Sequence, residues 1–439
     1  MKKIALFVTL IFLVGCANKG DVDSYKPLST KESSSKITWY EKLGSSELNS
    51  LVEKALLNNN EIKKAIFNIE SSYAKVGIES ANKLPTLSAN YSAQTSRDIT
   101  KSDNFKENYS FSLNLSYEID LFAKIKNQTA SASSELKATI FDLQDLRAFI
   151  VSKVTQSYLS LVFLNYKDKV LRQNLQNYEK IERIQTLKFS EGNIDNLALL
   201  ASHQKLLALQ NELLANKNEI AKSKEALFKL IGEEVELDLS LNLESVNFLE
   251  PNLSINLSSL QNRADIKAVI ERLNSSFYGY RASKGDFFPN ITIVGALNSN
   301  SDEFKDSFGL DFLSGVFRLN LPFLDYKRVK NRVKVGEVAF MQAKNGYEKA
   351  LFEALIEMKF LKSQDEVGKK LYKNSLISLQ NSTKELDGYK RRYESGKSQP
   401  TEYLEALNKN SLDKLSTLSA KMNALGYEIL LIKASGKLD

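Results

Sequence analysis

The sequence predicts a mainly α-helical protein with a small β part: a tandem repeat of long coiled-coil helices with four antiparallel strands per chain. Three observations predict it. The chain repeats itself at a spacing of 204 residues. Lys124-Ile125-Lys126-Asn127 recurs as Arg328-Val329-Lys330-Asn331, Glu61-Ile62-Lys63 as Asp265-Ile266-Lys267, and Lys188-Phe189 as Arg392-Tyr393. Pro85 recurs as Pro289, Gly192 as Gly396 and Gly232 as Gly436. Matches at one offset along the chain are what a duplication leaves, and a repeat decides the fold before any single element does. In addition, Tyr109, Phe111, Leu113, Leu115 and Tyr117 alternate with Ser110, Ser112, Asn114 and Ser116. That is period two, with one apolar and one small polar face. A soluble sheet alternates too, but a run this long with aromatics at both ends fits a transmembrane barrel strand. Finally, Ala123 to Phe189 contains neither proline nor glycine over 67 residues. At 1.5 Å per residue such a helix is about 100 Å long, taller than an ordinary domain.

Composition narrows the possible functions. The formal net charge of +7 is modest and spread out, with no Lys/Arg block, so nucleic acid is not favoured. The single histidine, His203, lies beside heptad positions, so no histidine triad or His-rich metal site can be assembled and a wall role is expected. The carboxylates are scattered as on solvated helix faces, and no catalytic pair is assigned, so no enzyme is expected. Four methionines offer no soft-metal relay.

The first residues read as an address. Met1-Lys2-Lys3 precedes an apolar run, Ile4 to Val14, too short to span a bilayer. The run ends in Leu13-Val14-Gly15-Cys16, which resembles a bacterial lipoprotein signal. Residues 1–15 would be removed and Cys16, the sole cysteine, would accept a covalent lipid. No disulfide is then possible and no other cofactor is expected. Ala17, not Asp, follows the cysteine, which by analogy with such lipoproteins favours the outer membrane. More than one acyl chain gives stable anchoring. Residues 16–39 form the lipidated tail, Ser/Lys-rich and a coil as far as Lys36.

The first repeat covers 40–232. Leu48, Leu51, Val52, Ala55 and Leu56 mark one amphipathic helix; Ile62, Ala65, Ile66, Ile69, Tyr73 and Val76 mark a second. Pro85 ends it, because the residue before a proline avoids the helical region. Strands at about 86–94 and 109–117 form a hairpin around a polar loop, Gln94 to Asn108. A long helix hairpin, about 121–231, turns at Ser190-Glu191-Gly192-Asn193, with glycine as the stop. Its return arm carries two heptad columns, Leu199, Leu206, Leu213, Ile220, Leu227 and Leu200, Leu207, Leu214, Ala221, Phe228. Strict seven-residue spacing imposes a left-handed supercoil.

Residues 233–260 form a linker, an extended connector on the outside. The second repeat, 261–439, restarts with a helix ended by Pro289. Strands follow at about 290–298 and 313–321 around a polar loop, Asn298 to Asp311, and then a helix hairpin at about 325–435. Its return arm has Leu404, Ser411, Leu418, Leu425 and Ile432 in one column and Asn408, Leu415, Met422 and Ile429 in the other. Four strands leave unpaired edges, which lipid does not tolerate, and cannot close a barrel alone. The chain must share its barrel with copies of itself, and the helices then extend the wall as a tube. A periplasmic coiled-coil adaptor, the nearest rival, needs no such strands.

The residues resemble the TolC-like outer-membrane efflux channels, in their lipoprotein (OprM/NodT-type) branch. The resemblance rests on Trp39 with Leu43-Gly44, Leu56-Leu57-Asn58-Asn59-Asn60, Leu115-Ser116-Tyr117-Glu118-Ile119-Asp120-Leu121-Phe122, Arg263-Ala264-Asp265-Ile266, Phe288-Pro289, Leu321-Pro322-Phe323 and Arg392-Tyr393 with Gly396. Ala264 stands where such channels usually have proline, and Ala123 where they often have glycine. The resemblance implies a homotrimer with a 12-stranded β-barrel in outer-membrane lipid and a 12-helix α-barrel in the periplasm. It implies a passive exit duct, powered by an inner-membrane pump through a periplasmic adaptor. Drugs and small amphiphilic molecules are the expected cargo, with type I protein secretion and metal-ion efflux as alternatives.

An open tube would leak, so one end should constrict, and the two helical turns lie farthest from the strands. The expected constriction comprises Glu402, Glu405, Tyr393 and Asp195 beside the tip glycines Gly192 and Gly396. By the resemblance, acidic rings sit just after the second turn, which gives Glu402 and Glu405; three copies around an axis would raise some of their pKa values. Each could equally be a plain exposed helix carboxylate. Ser398 replaces an arginine that locks the tip in some relatives, and Asp195 could pair with Lys397 instead.

Overall fold

The structure is a computed structural model and describes residues 37–100, 105–251 and 260–436. The leader, Cys16 and the tail as far as Lys36 lie outside the described residues. The helices are α1 (Ser46–Asn58), α2 (Asn60–Ala81), α3 (Lys124–Ser190), α4 (Asn196–Ile231), α5 (Ala264–Gly285), α6 (Tyr326–Glu394) and α7 (Pro400–Ser435). The strands are β1 (Thr86–Ser96), β2 (Lys106–Ile119), β3 (Asn290–Ser301) and β4 (Phe312–Asn320). The duplication is written into the boundaries: α2 and α5, and likewise α4 and α7, start and stop at positions 204 residues apart.

The two repeats share a joint. Gly232 ends α4 in the left-handed region at φ 84°, and Gly436 ends α7 at φ 69°. Each glycine abuts the start of a short helix: Gly232 lies against Asn58, the residue before the α2 cap, and Gly436 against Arg263, the cap of α5. The Asn59 amide, whose oxygen caps α2, donates to the Leu230 carbonyl at 2.8 Å. The Arg263 guanidinium, at the repeat-related position, donates to the Ala434 carbonyl at 3.0 Å. A last-turn carbonyl of one helix, orphaned by the helix end, is thus satisfied by the residue that starts another. The return arm and the short helix thus meet end to end.

The sheet is antiparallel in the order β1-β2-β3-β4. Its register puts Ala89, Leu113, Leu297 and Leu313 in one row, and Ser88, Asn114, Ala296 and Ser314 in the next. Apolar and small polar residues therefore take opposite faces. The strands run further than their alternation suggested: Gln94, Thr95 and Ser96 pair with Asn108, Glu107 and Lys106. A ladder is made by backbone groups, so polar side chains do not end it. The expected polar loop after β3 instead holds a short 3-10 turn, Phe304–Asp306. Phe308 stacks on Tyr91 at 5.4 Å, and Phe304 meets Tyr109 edge-on at 5.9 Å. Ala123, in the left-handed region at φ 59°, turns the chain from β2 into α3, and the Asp120 carboxylate accepts from the Ile125 and Lys126 N–H groups of the first turn.

The main core lies where α1, the middle of α3 and the ends of α4 and α7 meet, around Trp39, Leu48, Tyr158, Leu161, Leu227 and Leu425. Trp39 is buried, so residues 37–39, expected in the tail, belong to the packed body. The linker is strapped by charges. Glu47 accepts from the Asp238 and Leu239 N–H groups, and the fully buried Glu428 accepts from those of Leu249 and Glu250. Leu239 and Glu250 both have positive φ, which turns consecutive N–H groups towards one anion. Lys421 takes the Leu243 and Glu244 carbonyls.

Along the long helices the packing order is α4, α3, α7, α6, with α7 held on two sides. In α4 one predicted column, through Leu213 and Leu227, faces α3. The other, at Leu200, Leu207 and Leu214, is exposed. On the opposite flank, α6 exposes Phe352, Ile356, Phe360, Val367 and Leu371. The protomer is therefore open at both edges, in its sheet and in its helices alike.

The helical tip and its family

Both turns are built by the same hydrogen bonds. Asn193 N–H donates to the Lys188 carbonyl at 2.8 Å, and Lys397 N–H donates to the Arg392 carbonyl at 2.8 Å. Gly192 and Gly396 take φ of 75° and 71° with open space around them, so backbone conformation alone demands glycine there. The residues expected at the constriction differ in role. Asp195 is the N-cap of α4, its carboxylate accepting from the Ala198 N–H at 2.9 Å. Among the described residues it makes no ion pair with Lys397.

Glu402 and Glu405 lie in the first turns of α7, because Pro400 starts the helix. Spaced i,i+3, they share one side of the helix, and both are exposed. Glu402 completes a capping box with Gln399: its carboxylate accepts from the Gln399 N–H at 3.2 Å and from the Ser398 hydroxyl. The Ser398 hydroxyl and then the Gln399 N–H hold its carboxyl below the ordinary glutamate range. Within the protomer the shift is thus opposite to the one expected of a crowded acidic ring: hydrogen bonds to the charged form favour it.

Three tip residues escaped the sequence reading. Tyr403 stacks on Tyr393 at 5.4 Å with rings 3° from parallel, pinning α6 to α7. Lys188 donates to the Gln399 side-chain oxygen and so ties the first turn to the second. Ser398, noted only for what it replaces, is the partner of Glu402. The Gln399-Pro400-x-Glu402 box was readable locally; the other two contacts join different helices and leave no local pattern.

Two strand hairpins, each running into a helix of about 100 Å, in a duplicated chain, is an arrangement that can be compared as a whole. The sequence pattern of the outer membrane efflux protein family matches residues 51–233 and 257–437, one stretch per repeat. The chain belongs to the outer membrane efflux protein family. It is similar to Toxin and drug export protein A of Aggregatibacter actinomycetemcomitans, 27% identical over 98% of this chain and 96% of the relative. It is also similar to the pyoverdine export outer membrane protein OpmQ of Pseudomonas aeruginosa, 23% identical over 90% of this chain and 88% of the relative. The crystal structure of the Campylobacter jejuni CmeC outer membrane channel superposes with a TM-score of 0.81 at 23% identity, covering 94% of this chain and 90% of that one. The efflux protein thus keeps a fold that tolerates replacement of most side chains, because heptad columns, strand alternation and a few glycines specify it.

Proposed function

We propose that three copies of this efflux protein form an outer-membrane exit duct that serves an inner-membrane pump through a periplasmic adaptor. The open protomer carries this reading: β1 and β4 are free edges, and the apolar stripes of α4 and α6 lie on the same two flanks. Lipid tolerates no such edges, and a rotation that repeats the contact closes both barrel and tube at once. Cys16 would carry the lipid anchor. The tip would be the narrow end, with Glu402 and Glu405 near the axis and the Tyr393–Tyr403 stack and the Lys188–Gln399 contact holding the turns together. The cargo would be drugs and small amphiphilic molecules, a reading supported by the drug export named in the 27% identical relative. The same name also mentions toxin export, which favours a toxin as a second cargo.

Mass measurement of detergent-purified protein from the outer membrane should give a trimer; a monodisperse monomer with full β content would overturn the shared barrel. Cys16→Ser should abolish labelling by radioactive fatty acid. Glu402→Gln with Glu405→Gln should change single-channel conductance, cation preference or block by polyvalent cations. If all three match the parent, the constriction lies elsewhere.

A further inference from the structure

The small polar face of the sheet is almost free of charge. Along its rows stand Ser88, Asn90, Ser92, Ser110, Ser112, Asn114, Ser116, Ala296, Asn298 and Ser314, with Val294 and Val316 in the Ser116 row and Phe312 opposite Asn298. Apart from Lys106 at the far end of β2, its charged residues are Glu118 and Arg318, and the register puts those two in one row. Glu118 pairs with Thr292, and Thr292 pairs with Arg318. Two strand spacings separate them, about 9.5 Å. Neither has an ion-pair partner among the described residues, and Arg318 is exposed. The row lies where the strands give way to the helices, just before β2 ends at Ile119 and β4 at Asn320. The opposite face carries Tyr117, Ile293 and Phe317 in the adjacent row, as a lipid-facing wall would.

We infer that Glu118 and Arg318 form a charge-balanced collar at the inner mouth of the barrel, a specificity-determining site for amphoteric solutes. The inference rests on the shared barrel of the preceding subsection. In a ring of three protomers, each in the strand order seen here, a glutamate falls on every β2 and an arginine on every β4. The neighbouring protomer's β1 separates that arginine from the next glutamate. Carboxylate and guanidinium therefore alternate at every second strand and sum to zero. Such a collar repels neither cations nor anions as a class, and it offers a passing zwitterion a partner for each of its ends. Two unpaired charges on a face otherwise uncharged as far as Lys106 are unneeded for folding, since surface charges at this spacing contribute little to stability.

The local potential can be read without depending on the tip. Glu118→Cys, Arg318→Cys, Ser116→Cys and Leu113→Cys, each in the otherwise full-length protein in outer membranes, are treated with cationic and anionic membrane-impermeant methanethiosulfonates. With Arg318 left unbalanced, Glu118→Cys should favour the anionic reagent about fivefold in 0.01 M salt. Arg318→Cys should favour the cationic one by a similar factor, and both preferences should fade at 1 M. Ser116→Cys, beside an intact collar, should show little preference; adding Glu118→Gln or Arg318→Gln to it should restore the bias with near-isosteric side chains. Equal reagent preference at positions 118 and 318, with Ser116→Cys reactive and Leu113→Cys protected, overturns the collar alone. Leu113→Cys reacting as fast as Ser116→Cys overturns the shared barrel, and the collar with it.

Discussion

Gly232→Ala and Gly192→Ala place the same methyl group on backbones of similar twist, yet they should differ severalfold in cost. Both glycines have positive φ, 84° and 75°, so alanine at either site meets the left-handed penalty of about 1–2 kcal/mol. At Gly192 nothing lies within 4 Å of the added carbon. At Gly232 it would stand 2.8 Å from the carbonyl oxygen and 3.2 Å from the carbonyl carbon of Asn58. That neighbour is backbone at the end of α1 and cannot swing aside. Overpacking of this kind costs about 1–3 kcal/mol. Parting α4 from α2 also endangers the hydrogen bond from Asn59 to Leu230, worth about 1 kcal/mol. The expected loss is about 4 kcal/mol at Gly232 and about 1–2 kcal/mol at Gly192. Gly436→Ala should fall between them, because its added carbon meets Arg263 at 3.1 Å and 3.2 Å, close enough to need only a small shift. Urea unfolding of the detergent-purified protein, followed by helical circular dichroism, ranks the three. If Gly192→Ala is as damaging as Gly232→Ala, the end-to-end joint does not carry the load assigned to it.

Further outcomes follow from other parts of the molecule. Burial alone would raise the Asp286 carboxyl, but hydrogen bonds from Lys124 at 2.7 Å and Arg332 at 3.1 Å outweigh it and hold it below the usual aspartate range. A lowered pKa stabilises above the ordinary value and ceases to do so as pH falls through the lowered one. Asp286→Asn should therefore cost about 2 kcal/mol at neutral pH, as loss of hydrogen bonds to a charged group does, and flatten the acid limb of a stability–pH curve; an unchanged acid limb would count against the cluster. Ala123→Gly relieves a left-handed alanine at φ 59° between β2 and α3 and should stabilise by up to about 1 kcal/mol; a lower unfolding midpoint would show that the alanine methyl is needed there. Leu113→Arg, on the apolar face beside Ala89 and Leu297, should impair barrel assembly by about 2–4 kcal/mol. Ser112→Arg on the other face should be milder, and equal yields of trimer from both variants would refute the assignment of faces.

The sequence by itself determined the duplication, the long helices, the strands and the turns. Each is a local signal: a period of two or seven, a glycine that must take positive φ, a proline that must end a helix. Such signals survive in one dimension because they depend on neighbours within a turn or a strand. They placed Gly192, Gly396, Pro85 and Pro289 correctly, and they marked both heptad columns of α4. They could not tell that Leu207 and Leu214 would remain uncovered within the protomer, since both columns are equally apolar. The tertiary structure alone decided what distant residues do to one another. It made Asn59 and Arg263 the pins of a joint, and set Glu47 and Glu428 against the linker's N–H groups. It spent Asp195 and Glu402 on helix caps, and it brought Glu118 and Arg318 into one row. Those relations depend on register and on helix-to-helix docking, which are set by the balance of burial over the whole molecule, and no short stretch of chain records that balance.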